Sequence, residues 1–390
     1  MKPIVEKADV VVIGGGLVGL STALALVRSG IRVILLERNT VNSHASGANF
    51  GGVRLHGRDT AELPLAIRAR GIWERIGEYV GTDCEYLATG HIKLALVDSD
   101  MESLERWRTT GRAYGVPVEL LGRDQVRQSF PWLASPIAGA SFCSGDGHAN
   151  PRLAGPAFAR AARDAGARIL ERTSVERIED ATGGGFAVRA EGGAAFEANV
   201  LINAAGAWGA GLAAQYGDDI PLVAVAPQMF VTEPASYNVV PVVGVVGAGL
   251  YLRQSLRGNV IFGGGRGSIN PDGLRSRPIE AHFDSTIGLA HRLIPHMRHL
   301  PIIRAWTGIE GTIPDGLPVI GQSSRRAGLF HAFGFSGHGF QMAPAVGETL
   351  AELLAGGRTG IDLAPFSPDR FVSPDTTIGR PHPIAAEAVP

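Results

Sequence analysis

DVVVIGGGLVGLSTALALVRSGIRVILLE, residues 9–37, is the stretch whose reading decides the fold. Val10 to Ile13 form an apolar, β-branched run of strand length. Gly14, Gly16 and Gly19 follow in the pattern G-x-G-x-x-G, and Leu17 to Arg28 read as an apolar helix that Gly30 stops. A second apolar run, Ile31 to Leu36, closes on Glu37. Gly14 permits the tight turn off the strand, Gly16 lets the backbone approach a pyrophosphate, and Gly19 lets helix and strand pack closely. The free N–H groups at the helix start, around Leu17 and Val18, and the positive end of its dipole face the phosphates. Glu37, 18 residues beyond Gly19, stands where a carboxylate holds ribose hydroxyls. In a chain with 53 glycines the bare pattern arises by chance. Its position between two strand-like runs, at the opening of a helix and ahead of an acid, makes it a dinucleotide site.

A length of 390 residues suits two domains or one large interleaved one. The net charge of −1 offers no general attraction to nucleic acid or to an acidic membrane. Cys84 and Cys143 make neither a disulfide framework nor a C-x-x-C pair, so both are expected as buried free thiols in a reducing compartment. The polar N-terminus runs directly into the first strand, and glycines interrupt the apolar region Val10 to Leu26; we therefore expect a cytoplasmic protein with no signal peptide and no membrane span. No metal-ligand spacing stands out.

Downstream of Glu37, residues 39–52 form a small-residue loop that allows close approach by a ring system. Arg54, His56 and Arg58 follow it; Arg58 is expected to be solvated. Residues 62–80 read as one amphipathic helix with Trp73 in the core, residues 86–97 as a strand, and residues 98–114 as a helix capped by Asp98 or Ser99. Residues 174–202 suggest a three-stranded meander, ending in the small residues Asn203 to Ala207 before Trp208, where something passes close to the backbone. From Pro221 to Gly265 strand-like runs follow one another with few helices, which predicts a second, antiparallel sheet. Residues 278–293 read as a helix. Gly334 to Phe340 is a second glycine loop, feeding a helix from Gln341 to Ala355. Beyond Asp362 the chain is proline-rich and aperiodic, and reads as a tail or partner-binding arm.

Five blocks in this order, GGGLVGLSTA (14–23), SGANFGGVR (46–54), NAAGAW (203–208), TGIEGTIPDGLPVIG (307–321) and GFSGHGFQMAPAVGE (334–348), resemble flavoproteins of the D-amino-acid oxidase superfamily. Within it the chain is similar to the branch holding the sarcosine oxidase β-subunit, glycine oxidase and the opine oxidase B-subunit. The resemblance implies an α/β fold: a Rossmann-like FAD-binding domain (residues 1–85, 145–220 and 312–360) interleaved with an antiparallel-sheet substrate domain of α+β type (86–144 and 221–311), then a tail, 361–390. It implies FAD, with Gly14, Gly16 and Gly19 at the pyrophosphate, Glu37 at the adenosine ribose, Arg38 and Val175 at the adenine, and Ala205, Gly206 and Trp208 along the pyrophosphate side. Ser46, Asn49, Gly51 and Gly52 would follow the ribityl chain and ring. Gly334, Gly337, His338, Gly339 and Phe340 would approach the pyrimidine edge, where a helix N-terminus favours the negative charge that reduction brings.

The implied reaction is oxidation of the C–N bond of an amino acid or secondary amine by hydride transfer to FAD, with hydrolysis of the imine. An opine-type substrate and an α-type partner fit best; proline, hydroxyproline or sarcosine, or a pure electron-transfer subunit, are the alternatives. Glycine oxidase carries an arginine for the substrate carboxylate where this chain has Glu310. Arg54 is then the first candidate for that carboxylate, followed by Tyr251, Arg253 and Arg266, because a guanidinium fork is bidentate. Glu310 either attracts a cationic group of the substrate or pairs with Arg304 or another arginine. His56 and His338 are candidate proton carriers. Some relatives attach FMN to a histidine where this chain has Pro151, with His148 three residues upstream as an ordinary loop residue; this leaves room for a non-covalent FMN at a subunit interface.

Overall fold

The opening run becomes a nine-residue strand, Val5–Ile13 (β1), followed by helix Leu17–Arg28 (α1) and strand Val33–Leu36 (β2). The computed structural model describes residues 5–134, 137–236, 239–247 and 249–371. β1 pairs in parallel with β2 on one side and with Ala195–Asn203 on the other. A strand covered on both faces has no polar side to show, which is why Val10 to Ile13 and all of β2 are buried without alternation. The sheet runs Val319–Gln322, Leu329–Phe333, Ala195–Asn203, β1, β2, Arg168–Leu170. Helices α1, Pro151–Asp164 and Gly339–Gly356 cover one face. A small antiparallel layer, Val175–Asp180 with Phe186–Ala190, covers the other. The expected meander exists, but its third strand is also a central strand of the parallel sheet, since Ala195–Asn203 is long enough to pair on both edges.

The second sheet also has eight strands, ordered Ile302–Thr307, Pro227–Pro234, Asn259–Arg266, Tyr251–Gln254, Val242–Val245, His91–Ala95, Gly139–Cys143, Glu119–Gly122. It is antiparallel except where Val242–Val245 runs parallel to His91–Ala95. One face buries Ile92, Leu94, Leu252 and the stacked pair Phe230–Phe262, with Phe283 of helix Phe283–Leu293 edge-on to Phe230. The alternating residues therefore face the first sheet's loops, and that face carries the site described below.

Several local expectations shift. Helix 62–80 breaks into Leu63–Trp73 and Ile76–Val80, with Arg75 out of helical conformation. Strand 86–97 is only His91–Ala95, because Leu87 bridges to His148 instead. The N-cap of Asp98–Ala113 is Val97, and the Asp100 carboxylate accepts from the Leu96 and Val97 amides. Helix 278–293 begins only at Phe283. Trp73 is fully buried, as are the free thiols Cys84 and Cys143. Among the described residues no helix is long and apolar enough to cross a membrane.

The expected tail is partly built into the body. Ala364–Phe366 and Pro368–Phe371 form short 3₁₀ turns; the Phe366 side chain is fully enclosed, and Arg370 donates to the Asp315 carboxylate and to the Leu317 carbonyl. Proline removes periodicity but not anchorage, so pattern alone misreads this segment. Residues 372–390 lie outside the described residues. Phe366→Ala should cost about 3 to 5 kcal/mol, read as a lower urea midpoint; an unchanged midpoint would show that the segment is not part of the folded core.

Candidate active site

At the start of α1 the glycine turn is closed by sterics. Gly14 has φ +109°, and a Cβ there would lie 2.3 Å from the Ala204 carbonyl oxygen; a Cβ on Gly19 would lie 1.9 Å from the Gly14 oxygen. Gly16, the N-cap, has no side chain to offer, so the cap comes from a distant loop: the Leu17 amide donates to Ser46 Oγ at 2.8 Å. The buried Glu37 carboxylate accepts from the Gly15 amide at 2.7 Å and the Asn39 amide at 2.8 Å. Asn49 holds its own loop, donating to the Ala45 and Ser46 carbonyls and accepting from the Gly51 amide.

A cleft of about 500 Å³ starts here. It runs from Glu37, Arg38 and Val175, past Gly14, Gly16, Val18, Ser46, Ala205 and Gly206, to Gly334, Gly337, Gly339 and Phe340. Trp208 and Asn49 also line it. The Arg38 guanidinium lies 3.7 Å from the Trp208 ring centroid, and its Nη2 is buried with no hydrogen-bond partner among the described residues. Leu17 and Gly19 do not line the cleft; they shape the turn behind it. Gly51, Gly52 and His338 face a neighbouring cavity instead. A long cleft with a helix N-terminus at mid-length, a carboxylate at one end and a second helix N-terminus at the other fits an extended dinucleotide.

The neighbouring cavity, about 440 Å³, shares Ala45, Asn49, Glu310, Gly337 and Phe340 with the cleft. Its floor is the open face of the second sheet. Lys93, Gly244, Tyr251, Gly263 and Met229 lie in register across five strands, so their side chains point the same way. The two glycines hollow this row: a Cβ on Gly263 would meet the Tyr251 ring at 2.5 Å, and one on Gly244 would meet His91 Nε2 at 2.9 Å. Tyr251 donates to Met229 Sδ at 3.3 Å and meets Phe50 edge-on at 5.1 Å.

Phe50 also divides this cavity from a smaller basic pocket of about 230 Å³ lined by Arg152, Arg253, Arg257, Arg304 and Trp306. Arg253 therefore does not reach the Tyr251 cavity. It points to the same side of its strand, but beyond Phe50, whose carbonyl accepts from its Nε at 2.7 Å. Arg304 faces this pocket too, so it does not pair with Glu310. His148 is no ordinary loop residue: it is buried, with Nδ1 3.4 Å from Arg253 Nη1.

The charged groups of the cavity are held by partners both near and far in sequence. Arg58 is 3% exposed rather than solvated; it donates to Gln341 Oε1 and lies 3.9 Å from the Glu62 carboxylate. Glu62 accepts from His338 Nδ1 at 2.9 Å. Burial and Arg58 take the His338 imidazole down to about 3, so it is neutral; with the proton on Nδ1, Nε2 is left to accept from Arg54, 3.5 Å away. Arg54 also donates to the His56 carbonyl. His56 itself does not line the cavity: Nδ1 meets His91 Nδ1 at 3.1 Å, Nε2 meets Ser141 Oγ at 2.7 Å, and burial holds its basicity well below the usual range. His91 stands in front of it, on the cavity wall. Glu310 sits where cleft and cavity meet, and loss of hydration pushes its carboxyl up to about 7 against the opposing influence of Arg266. No salt bridge joins those two among the described residues, and Arg266 Nη2 is buried without a hydrogen-bond partner. Burial likewise raises the Tyr251 hydroxyl.

Glu62, His91, Lys93 and Asp146 are the residues of this site that sequence reasoning missed. His91 and Lys93 had a signal, two basic residues at i and i+2 in an otherwise apolar strand. Glu62 and Asp146, whose carboxylate accepts from the Leu55 and His56 amides, had none beyond the i, i+4 spacing of Arg58 and Glu62.

Comparison with known proteins gives a consistent result. Residues 9–353 match the family model described as FAD dependent oxidoreductase. Glycine oxidase of Geobacillus kaustophilus (strain HTA426) is 30% identical over 378 residues, covering 94% of this chain and 98% of that one. The opine oxidase B-subunit of Rhizobium meliloti is also 30% identical, over 379 residues, with the same coverage. Among solved structures, L-proline dehydrogenase from P. horikoshii superposes with a TM-score of 0.88 at 30% identity, covering 95% of this chain and 99% of that one.

Proposed function

The chain belongs to the FAD dependent oxidoreductase family, and we propose that it oxidises the C–N bond of an opine-type secondary amine as the catalytic subunit of a hetero-oligomer. The observation that carries this reading is Glu310, a carboxylate with a raised pKa at the junction of the cofactor cleft and a cation-rich cavity. Glycine oxidase and the opine oxidase B-subunit are relatives of nearly the same length, which supports the reaction class.

In this reading the glycine turn and α1 hold the FAD pyrophosphate, Glu37, Arg38 and Val175 the adenosine end, and the 334–340 loop the ring. FAD supplies the acceptor for the hydride that leaves the carbon next to nitrogen. The chain's own groups do the rest. Glu310 draws the ammonium to the junction and takes its proton, leaving the nitrogen lone pair free to assist loss of hydride. Arg266, beside it, meets a carboxylate of the substrate, and Tyr251 and Phe50 form the apolar flank. Neutral His338, oriented by Glu62, fixes Arg54 at the back of the cavity. The imine product hydrolyses.

The reading extends to the basic pocket beyond Phe50. Four arginines, Trp306 and the start of helix Pro151–Asp164 suit the phosphate and ring of a non-covalent FMN at an interface with an α-type subunit. The similarity to L-proline dehydrogenase supports a second reading, the same chemistry on proline, hydroxyproline or sarcosine. Anaerobic addition of opines, prolines, sarcosine and D-amino acids to the purified protein tests both. Bleaching of the flavin band by opines is expected; bleaching by proline or sarcosine alone selects the second reading, and no bleaching by any amine removes both.

A further inference from the structure

Taking the site as an amine-oxidation site, the charges of the cavity do not balance at one end. Arg54 and Arg58 face the carboxylates of Asp146 and Glu62, and Arg266 faces Glu310. Lys93 faces none. It lines the cavity with no salt bridge among the described residues, and the ionisable groups around it are Arg54, His56 and His91, all cationic or neutral. A buried ammonium beside a guanidinium is costly unless an anion offsets it. The two cations stand side by side over Gly57: Lys93 Nζ lies 3.2 Å, and Arg54 Nη1, which donates to the His56 carbonyl, 3.6 Å from the point where a Cβ on Gly57 would project.

This place is set apart from Arg266 across the sheet. Lys93 is on strand His91–Ala95, and Arg266 ends strand Asn259–Arg266, three strands away in the sheet. At about 4.8 Å per strand their backbones are about 14 Å apart across the sheet, before the reach of either long side chain is counted. We propose that Lys93, with Arg54, is a second anion-recognition pole that selects substrates carrying a further carboxylate apart from the one at Arg266, that is, N-carboxyalkyl amino acids over monocarboxylic amines. Lysine suits this task because its compact charge accepts a carboxylate from several directions. Burial and Arg54 bring its ammonium down to about 8, so it remains largely charged at neutral pH.

The test uses redox-inert probes on the FAD-loaded protein: glutarate and its monoamide, of equal length and one charge apart, titrated by perturbation of the flavin spectrum. Wild type is expected to bind glutarate on the order of tenfold to a hundredfold more tightly than the monoamide. In Lys93→Met that ratio should fall to below about threefold, and Lys93→Arg should restore most of it. A ratio near one in wild type, or one unchanged in Lys93→Met, overturns the proposal. If the ratio behaves as expected while no amine bleaches the flavin, the reaction reading falls and the Lys93 assignment stands. If amines bleach the flavin while the ratio is near one, the reverse holds.

Discussion

Gly19→Ala is expected to give a protein that purifies colourless, with affinity for FAD lowered by at least about a hundredfold. The new Cβ would sit 1.9 Å from the Gly14 carbonyl oxygen, and that oxygen belongs to backbone locked between β1 and α1. Relief requires the helix start to move off the strand, and the free N–H groups then no longer converge on the phosphates. Gly30 provides the contrast. Nothing lies within 4 Å of a Cβ there, although its φ is +79°. Gly30→Ala should cost only about 1 to 2 kcal/mol of stability and keep its flavin. Flavin absorbance per protein, with melting followed by circular dichroism, separates the two effects. A fully loaded, yellow Gly19→Ala protein would mean that the turn is not the pyrophosphate cradle.

Glu310→Gln should lower kcat/KM for the amine substrate by on the order of a hundredfold to a thousandfold. The pH profile gives the sharper reading. Loss of hydration disfavours the charged carboxylate, so its pKa rises to about 7 and the group is mostly protonated below that pH. Only the ionised form attracts the ammonium and accepts its proton. Wild-type kcat/KM should therefore rise with pH on an acid limb centred near 7, and about a tenth of the sites should be active at pH 6. Glutamine cannot titrate, so that limb should vanish in the variant. An acid limb that persists unchanged in Glu310→Gln would assign it to another group and remove Glu310 from the reaction.

The parts of the site that follow local rules are readable along the chain. The turn at Gly14 to Gly19, the helix it opens and the acid at Glu37 lie within one strand–helix–strand unit, where covalent spacing nearly dictates geometry. The loop at Gly334 to Phe340 is of the same kind. Helical periodicity places Trp73 in the core, and its indole donates to the Gln341 carbonyl, 268 residues away. There the pattern reports burial but cannot name the partner.

Charged residues are a different matter. Arg58 looks solvated in sequence because an acid four residues on is the ordinary partner of an exposed helical charge; Gln341, 283 residues later, and His338, which pairs with Glu62, take it inside. Tyr251 and Arg253 share one strand face, and only the Phe50 loop, inserted between them from another part of the chain, assigns them to different cavities. His56 and His91 look unrelated until strand pairing sets one behind the other. The aperiodic segment ending at Phe371 is ordered by Phe366 and Arg370 rather than by any repeat. The sequence by itself determined the dinucleotide unit, the second sheet and the family blocks, because hydrophobic periodicity and glycine sterics act over a few residues. The tertiary structure alone decided which charges line the cavity, which are neutralised and which is left over at Lys93, because the free energy of a buried charge depends on the partners that folding brings to it.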